Sequence, residues 1–96
     1  MITIDVKVYG GVAPLPIRVF IDNIANFDDI RFSRDASFTE SFQLANGEYY
    51  IIISGSNPPD GKTIVTVSGT DSAGNDIHFS KTKTGELYSV LNYVKI

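Results

Sequence analysis

Ile2, Ile4, Val6 and Val8 alternate with Thr3, Asp5, Lys7 and Tyr9. A period of two with branched side chains on one side predicts a strand with one buried face. Gly10-Gly11 ends it, and Pro14 and Pro16 keep the connection extended. Ile17, Val19 and Ile21 then alternate with Arg18, Phe20 and Asp22, which makes a second strand and turns Phe20 away from the core side. Asp22 to Asp35 reads as a long connection. Within it Ile24, Phe27 and Ile30 fit one helical turn, while Ile30 and Phe32 also fit a short strand. Phe38, Phe42 and Leu44 share a face with Glu40 between them, predicting a strand that hairpins through Asn46-Gly47 into the next.

That next segment, Tyr49-Tyr50-Ile51-Ile52-Ile53, is aromatic or β-branched throughout. A strand with one wet face alternates, so an unbroken run predicts a central strand covered on both sides. Ser54 to Lys62 is turn chemistry, with prolines that fix φ and an Asp60-Gly61 pair that supplies a left-handed position. Thr63 to Gly69 returns as a strand, Asp71 to Asp76 turns, and Ile77 and Phe79 alternate with His78 and Ser80. After a turn at Thr84-Gly85, the last strand runs Leu87 to Ile96, with Tyr88, Val90, Asn92, Val94 and Ile96 on one face. About seven short strands with turns between them and no long helical period predict an all-β fold. The expected architecture is an antiparallel Greek-key β-sandwich, with residues 1–96 as one domain.

Two stretches carry family resemblances. Pro14 to Val19, Ser37 to Leu44 and Gly47 to Gly55 together resemble carboxypeptidase regulatory-like and other prealbumin-like domains, seven-stranded sandwiches in which a Gly-x-Tyr element opens a central strand. Thr63 to Asn75 is instead similar to the late hairpin of bacterial immunoglobulin-like repeats, where a strand ends in an Asp-x-x-Gly-Asn turn. Arg34-Asp35-Ala36-Ser37 stands where the first pattern has an Asp-Gly turn. Both resemblances imply a sandwich, and both imply a non-catalytic spacer or docking role.

Composition narrows the function classes. Eleven acids against eight bases give a net charge of −3, spread along the chain, and so no footprint for gripping phosphate backbones; nucleic acid is not expected as a partner. The chain has no cysteine, which excludes disulfides, thiolate metal sites and a cysteine nucleophile. No apolar run is long enough to span a membrane. The sequence enters a strand at once, without a signal-peptide pattern, which fits a cytoplasmic protein as written or an exported one whose leader has been removed.

Candidate chemistry is sparse. His78 is the sole histidine and sits mid-strand with no Gly-x-Ser-x-Gly elbow anywhere, so neither a hydrolytic triad nor a zinc site is expected. A carboxylate pair would have to come from Glu40, Glu48 or Glu86. Asp22, Asn23, Asn26, Asp28 and Asp29 offer oxygens for calcium, but the segment lacks the glycine of a sharp ligating turn, and no metal or other cofactor is expected. Lys7, Asn92 and Glu40 are the residue types of an intramolecular isopeptide bond, yet parity puts Lys7 and Asn92 on opposite kinds of face. The remaining signal is a set of outward aromatics, Tyr9, Phe20 and Tyr93, either a docking patch or core beneath a second sheet. The expected function is a non-enzymatic accessory, spacer or protein-interaction module of a bacterial surface, phage or mobile-element assembly. The alternative is a small carbohydrate-binding domain using those aromatics.

Overall fold

The computed structural model describes residues 1–26 and 28–96. Its elements are β1 (Ile2–Tyr9), β2 (Ile17–Asn23), β3 (Ile30–Arg34), β4 (Phe38–Phe42), β5 (Glu48–Ser56), β6 (Lys62–Thr70), β7 (Asp76–Lys83) and β8 (Leu87–Lys95). All pairings are antiparallel, and the strands form two sheets, β4-β1-β6-β7 (sheet I) and β3-β2-β5-β8 (sheet II). The chain is therefore all-β and sandwich-like, and none of the described residues forms a helix long and apolar enough to cross a membrane.

The interior follows the two-residue period. Ile2, Ile4 and Val6 from β1 and Val65 and Val67 from β6 meet Ile17, Val19 and Ile21 from β2 and Tyr49, Ile51 and Ile53 from β5, all buried. Each fully buried branched side chain stabilises the fold by roughly 1.5 to 3 kcal/mol, which makes these rows the main favourable contribution. The β3/β4 margin is closed by aromatic rings. Phe32 packs edge-on against Phe38 and stacked on Phe42, with centroids 5.8 and 5.5 Å apart. Arg34 lies over the Phe32 ring and donates to Glu40 Oε1 at 2.7 Å.

Three expectations change. There are eight strands, because Ile30 and Phe32 form β3 and pair with Ile21 and Val19. The helical-turn alternative needed Phe27, which lies outside the described residues. Second, β4 and β5 are not a hairpin: β4 pairs with β1 in sheet I, and residues 43–47 cross to sheet II. The crossing is held by the Tyr49 hydroxyl donating to Ala45 O at 2.7 Å and by Gly47 exchanging both backbone hydrogen bonds with Ile96. Third, β5 is central to its sheet but covered on one side only, since Tyr49 is 3% exposed and Tyr50 is 39% exposed. An internal strand of a two-layer sandwich has one face on the core and the other on solvent unless a third layer is present.

The β6–β7 hairpin turns as expected. Asp71 accepts the N–H groups of Ala73 and Asn75 at 2.9 and 2.8 Å, and Gly74 takes the left-handed position at φ +84°. These hydrogen bonds, above all the Asn75 N–H, hold the Asp71 carboxyl below its ordinary value of 3.8. A depressed carboxyl contributes stability that is present above the ordinary value and is lost as pH falls through the folded-state pKa. Thermal unfolding of wild type and Asp71→Asn should therefore differ at pH 7, wild type being the more stable, and the difference should shrink as acid takes the pH below the ordinary carboxyl value of 3.8 and through the lowered folded-state pKa; a difference that persists unchanged in acid would contradict the turn geometry.

Candidate functional site

The outer faces of the two sheets differ in kind. Sheet I presents cross-strand rows of hydroxyl and charged groups, Ser41–Thr3–Ser68–His78 and Thr39–Asp5–Thr66–Ser80. Many of these groups bond one another: Thr3 and Ser41 hydroxyls lie 2.8 Å apart, Thr66 and Ser80 hydroxyls 3.2 Å, Thr39 donates to Asp5 at 2.5 Å, and Lys7 pairs with Asp5 at 3.4 Å. Such a face gains little by leaving water.

Sheet II presents an apolar one. Register places Arg31, Phe20, Ile52 and Leu91 in one row across all four strands, with Asp22, Tyr50 and Tyr93 in the next. Parity forces this, because Ile21, Ile51 and the Val90–Val94 series fill the interior and leave their neighbours outside. Leu91 is 63% and Tyr93 45% exposed. The Tyr50 and Tyr93 rings meet edge to face, centroids 5.9 Å apart at 60°. The Arg31 guanidinium lies 4.4 Å from the Phe20 centroid. Tyr93 donates its hydroxyl to Glu48, a bond that holds the phenol proton and pushes the Tyr93 pKa up, with smaller contributions from desolvation and the Glu48 charge. Arg18, Arg31 and Lys95 against Asp22 and Glu48 leave the face nearly balanced in charge.

The structure thus brings Phe20 and Tyr93 onto one face with β5 between them, and sets Tyr9 apart. Tyr9 ends β1 on the outer face of sheet I, with Lys62 5.5 Å from its ring. Tyr50, Ile52 and Leu91 complete the patch. Sequence reasoning placed Tyr50 and Ile52 under cover; the signal for Leu91 was its parity with Ser89, Tyr93 and Lys95, opposite the buried residues of its strand.

A furrow joins this face to one end of the sandwich. It starts as a shallow depression of about 580 Å³ between Arg18, Phe20, Arg31 and Ile52. It passes Leu15, Pro16 and Tyr88, then opens into a groove of about 830 Å³ among Pro14, Pro58, Pro59, Asp60, Glu86 and Leu87. Gly55 leaves the space that the Tyr88 ring occupies, and burial pushes the Tyr88 phenol up, partly offset by the nearby Thr63 hydroxyl.

The end loops are fixed by one buried side chain. Asn57 donates from Nδ2 to Gly85 O at 2.7 Å and Lys83 O at 3.2 Å, and accepts from the Thr63 hydroxyl at 2.6 Å. Its backbone N–H reaches Glu86 O, and the neighbouring Ser56 hydroxyl accepts from Leu15 N. The adjacent Asp60-Gly61 turn supplies its left-handed position as expected, at Asp60, with φ +59°. Gly61 serves close approach instead, for a Cβ there would run into the Tyr9 carbonyl.

The other candidates are scattered. Glu40 faces the interior from β4, Glu48 stands on the outer face of sheet II and Glu86 lies in the β7–β8 turn. His78 is on the open face of edge strand β7, opposite Ser68. Asp29 and Asn23 are used in bracing their own loop: Asp29 accepts from Asn23 N at 3.0 Å, and Asn23 Oδ1 from Ala25 N at 3.3 Å. Among the described residues no three acidic or histidine side chains gather to hold a metal ion. Lys7 lies on the outer face of sheet I and Asn92 faces the interior from sheet II.

No known family model, characterised protein or solved structure matches the chain.

Asn57→Ala would strand the Thr63 hydroxyl and two carbonyls in a buried site, so it should cost roughly 2 to 4 kcal/mol. Chemical denaturation measures this directly, and a cost under about 0.5 kcal/mol, the surface-substitution range, would contradict the assignment of Asn57 as the tie between the loops.

Proposed function

We propose that this chain is a non-enzymatic β-sandwich interaction module that docks a protein partner through the outer face of sheet II. The observation that carries the proposal is the contrast between the two outer faces, one rich in hydroxyl groups that bond one another across strands, the other an apolar strip of Phe20, Tyr50, Ile52, Leu91 and Tyr93. Aromatic centres rimmed by arginine are what protein interfaces favour. The dispersal of His78 and the three glutamates supports a non-catalytic role. Following the family resemblances, the module belongs to a bacterial surface, phage or mobile-element assembly.

Within the sandwich class, the topology supports the Greek-key, prealbumin-like alternative. β5 comes back from sheet I to lie beside β2, and β6 beside β1, as Greek-key returns do. Gly47-Glu48-Tyr49 opens β5, a central strand, as the prealbumin-like resemblance implies. β1 and β2 lie in different sheets, whereas the immunoglobulin order pairs them. Carbohydrate is the weaker reading: sugar stacking wants ring faces presented flat, but Tyr50 and Tyr93 meet at 60° and Arg31 lies over Phe20.

Cross-linking in the native host followed by titration of the captured partner tests the proposal. Phe20→Ser and Tyr50→Ser should each weaken binding about 10- to 100-fold, the loss of a central aromatic contact. Thr66→Lys and Ser80→Lys, on sheet I, should leave it unchanged. Loss of binding in the sheet I variants alone would refute the assignment, and glycan-array binding abolished by Tyr93→Ala would establish the carbohydrate reading instead.

A further inference from the structure

We propose that β8 is a self-association edge, pairing antiparallel with β8 of a second copy of this chain about a two-fold axis at Leu91. Four strands end the two sheets, and three of them carry features that discourage pairing. β3 and β4 are short, Ile30–Arg34 and Phe38–Phe42. β7 is longer, but Lys81 and Lys83 share the inward face of their partners Val65 and Thr63, and inward-pointing charges on an edge strand oppose the addition of another strand. β8 has none of these. It spans Leu87–Lys95 without proline, glycine or bulge, pairs residue for residue with β5, and has its only charge at the last position.

The backbone pattern says which groups are free. Gly47 and Ile96 exchange both hydrogen bonds, Gly47 N to Ile96 O at 3.0 Å and Ile96 N to Gly47 O at 2.8 Å. In an antiparallel ladder such pairs alternate, so Val94, Asn92, Val90 and Tyr88 turn their N–H and C=O groups to β5. Leu87, Ser89, Leu91, Tyr93 and Lys95 therefore turn theirs to the open edge. That free set is symmetric about Leu91. A two-fold axis there pairs Leu91 with Leu91 of the second copy, Ser89 with Tyr93 and Leu87 with Lys95, and every free N–H and C=O finds a partner. Shifting the register leaves groups at both ends unpaired.

The side chains agree with the backbone. Leu91 and Leu87, 63% and 68% exposed, carry free backbone groups and stand with Tyr93 on the outward face of the apolar strip. Pairing continues the row Phe20–Ile52–Leu91 into the same row of the second copy, making one strip across an eight-stranded sheet. Ser89 and Lys95 place no like charges opposite each other at the two-fold. The contact is isologous, so it closes at two copies and does not propagate. It concerns the edge of sheet II and holds whatever docks on the face.

Sedimentation of the full chain at roughly 100 µM, far above a micromolar Kd, should give twice the 10.5 kDa of one chain. Leu91→Lys, at an exposed side chain, sets two ammonium groups opposite each other at the axis, and Leu91→Pro removes the N–H that faces the edge. Both should sediment as single chains. In the unaltered protein, amide exchange at Leu91 should slow at least about tenfold between dilute and concentrated samples, while Val90 and Asn92 stay protected throughout. A wild-type chain that sediments singly, a variant that remains paired, or a Leu91 amide that exchanges fast at every concentration would each overturn the proposal.

Discussion

Everything outside the core of this sandwich is placed by what lies inside it. Ile4, Val6, Val19, Ile21, Ile51, Ile53, Val65 and Val67 occupy alternate positions on four inner strands, and their burial holds each strand to one facing. A slip of one residue would send a whole row of branched side chains into water, at roughly 1.5 to 3 kcal/mol apiece. The residues between them have no choice of side. On sheet I these are mostly threonine, serine, aspartate and lysine, which bond water and one another, with Ile64 beside Lys7 the apolar exception on β6. On sheet II they include Phe20, Tyr50 and Ile52, which remain outside although they are apolar.

The same constraint accounts for β8. Tyr88, Val90, Asn92 and Val94 point inward, so Leu87, Leu91 and Tyr93 point outward, and the backbone groups of those outward residues face the open edge. Two buried costs accompany the arrangement, for the Tyr88 hydroxyl and the Asn92 amide nitrogen are buried without a hydrogen-bond partner among the described residues. At the end of the sheets Asn57 ties the β5–β6 turn to the β7–β8 turn, so the groove beside Pro58 and Leu87 opens from loops held in place. A ligand seated on the proposed surface would require little ordering of the chain.

Strands with a clean alternation were legible: β1, β2, β6 and β8 lie where their periods put them, as does the Asp71 turn. What the sequence obscured was pairing. Asn46-Gly47 carries a hairpin signal, yet the chain uses it to cross between sheets, a choice made by distant partners Ile4 and Ile96. β3 was hidden because its inward residues, Ile30 and Phe32, are few and lie in an acidic, turn-rich segment. The apolar run in β5 was misleading for the opposite reason. Ile52 and Tyr50 look like core residues by hydrophobicity, and only the absence of a third layer leaves them on the surface. For the same reason the patch was half visible: Phe20 and Tyr93 were marked by parity, whereas Tyr9, with equal parity, belongs to the other sheet.

Two adjacent tyrosines put the one-sided covering of sheet II to the test. Tyr49 points into the core at 3% exposure and Tyr50 onto the outer face at 39%. Nitration of the native chain at low concentration, mapped by peptide mass spectrometry, should modify Tyr50 and spare Tyr49. Protection of both would mean that something covers the outer face, and modification of both would mean that β5 does not pack as a central strand; either result would contradict the placement of the apolar strip on an open surface.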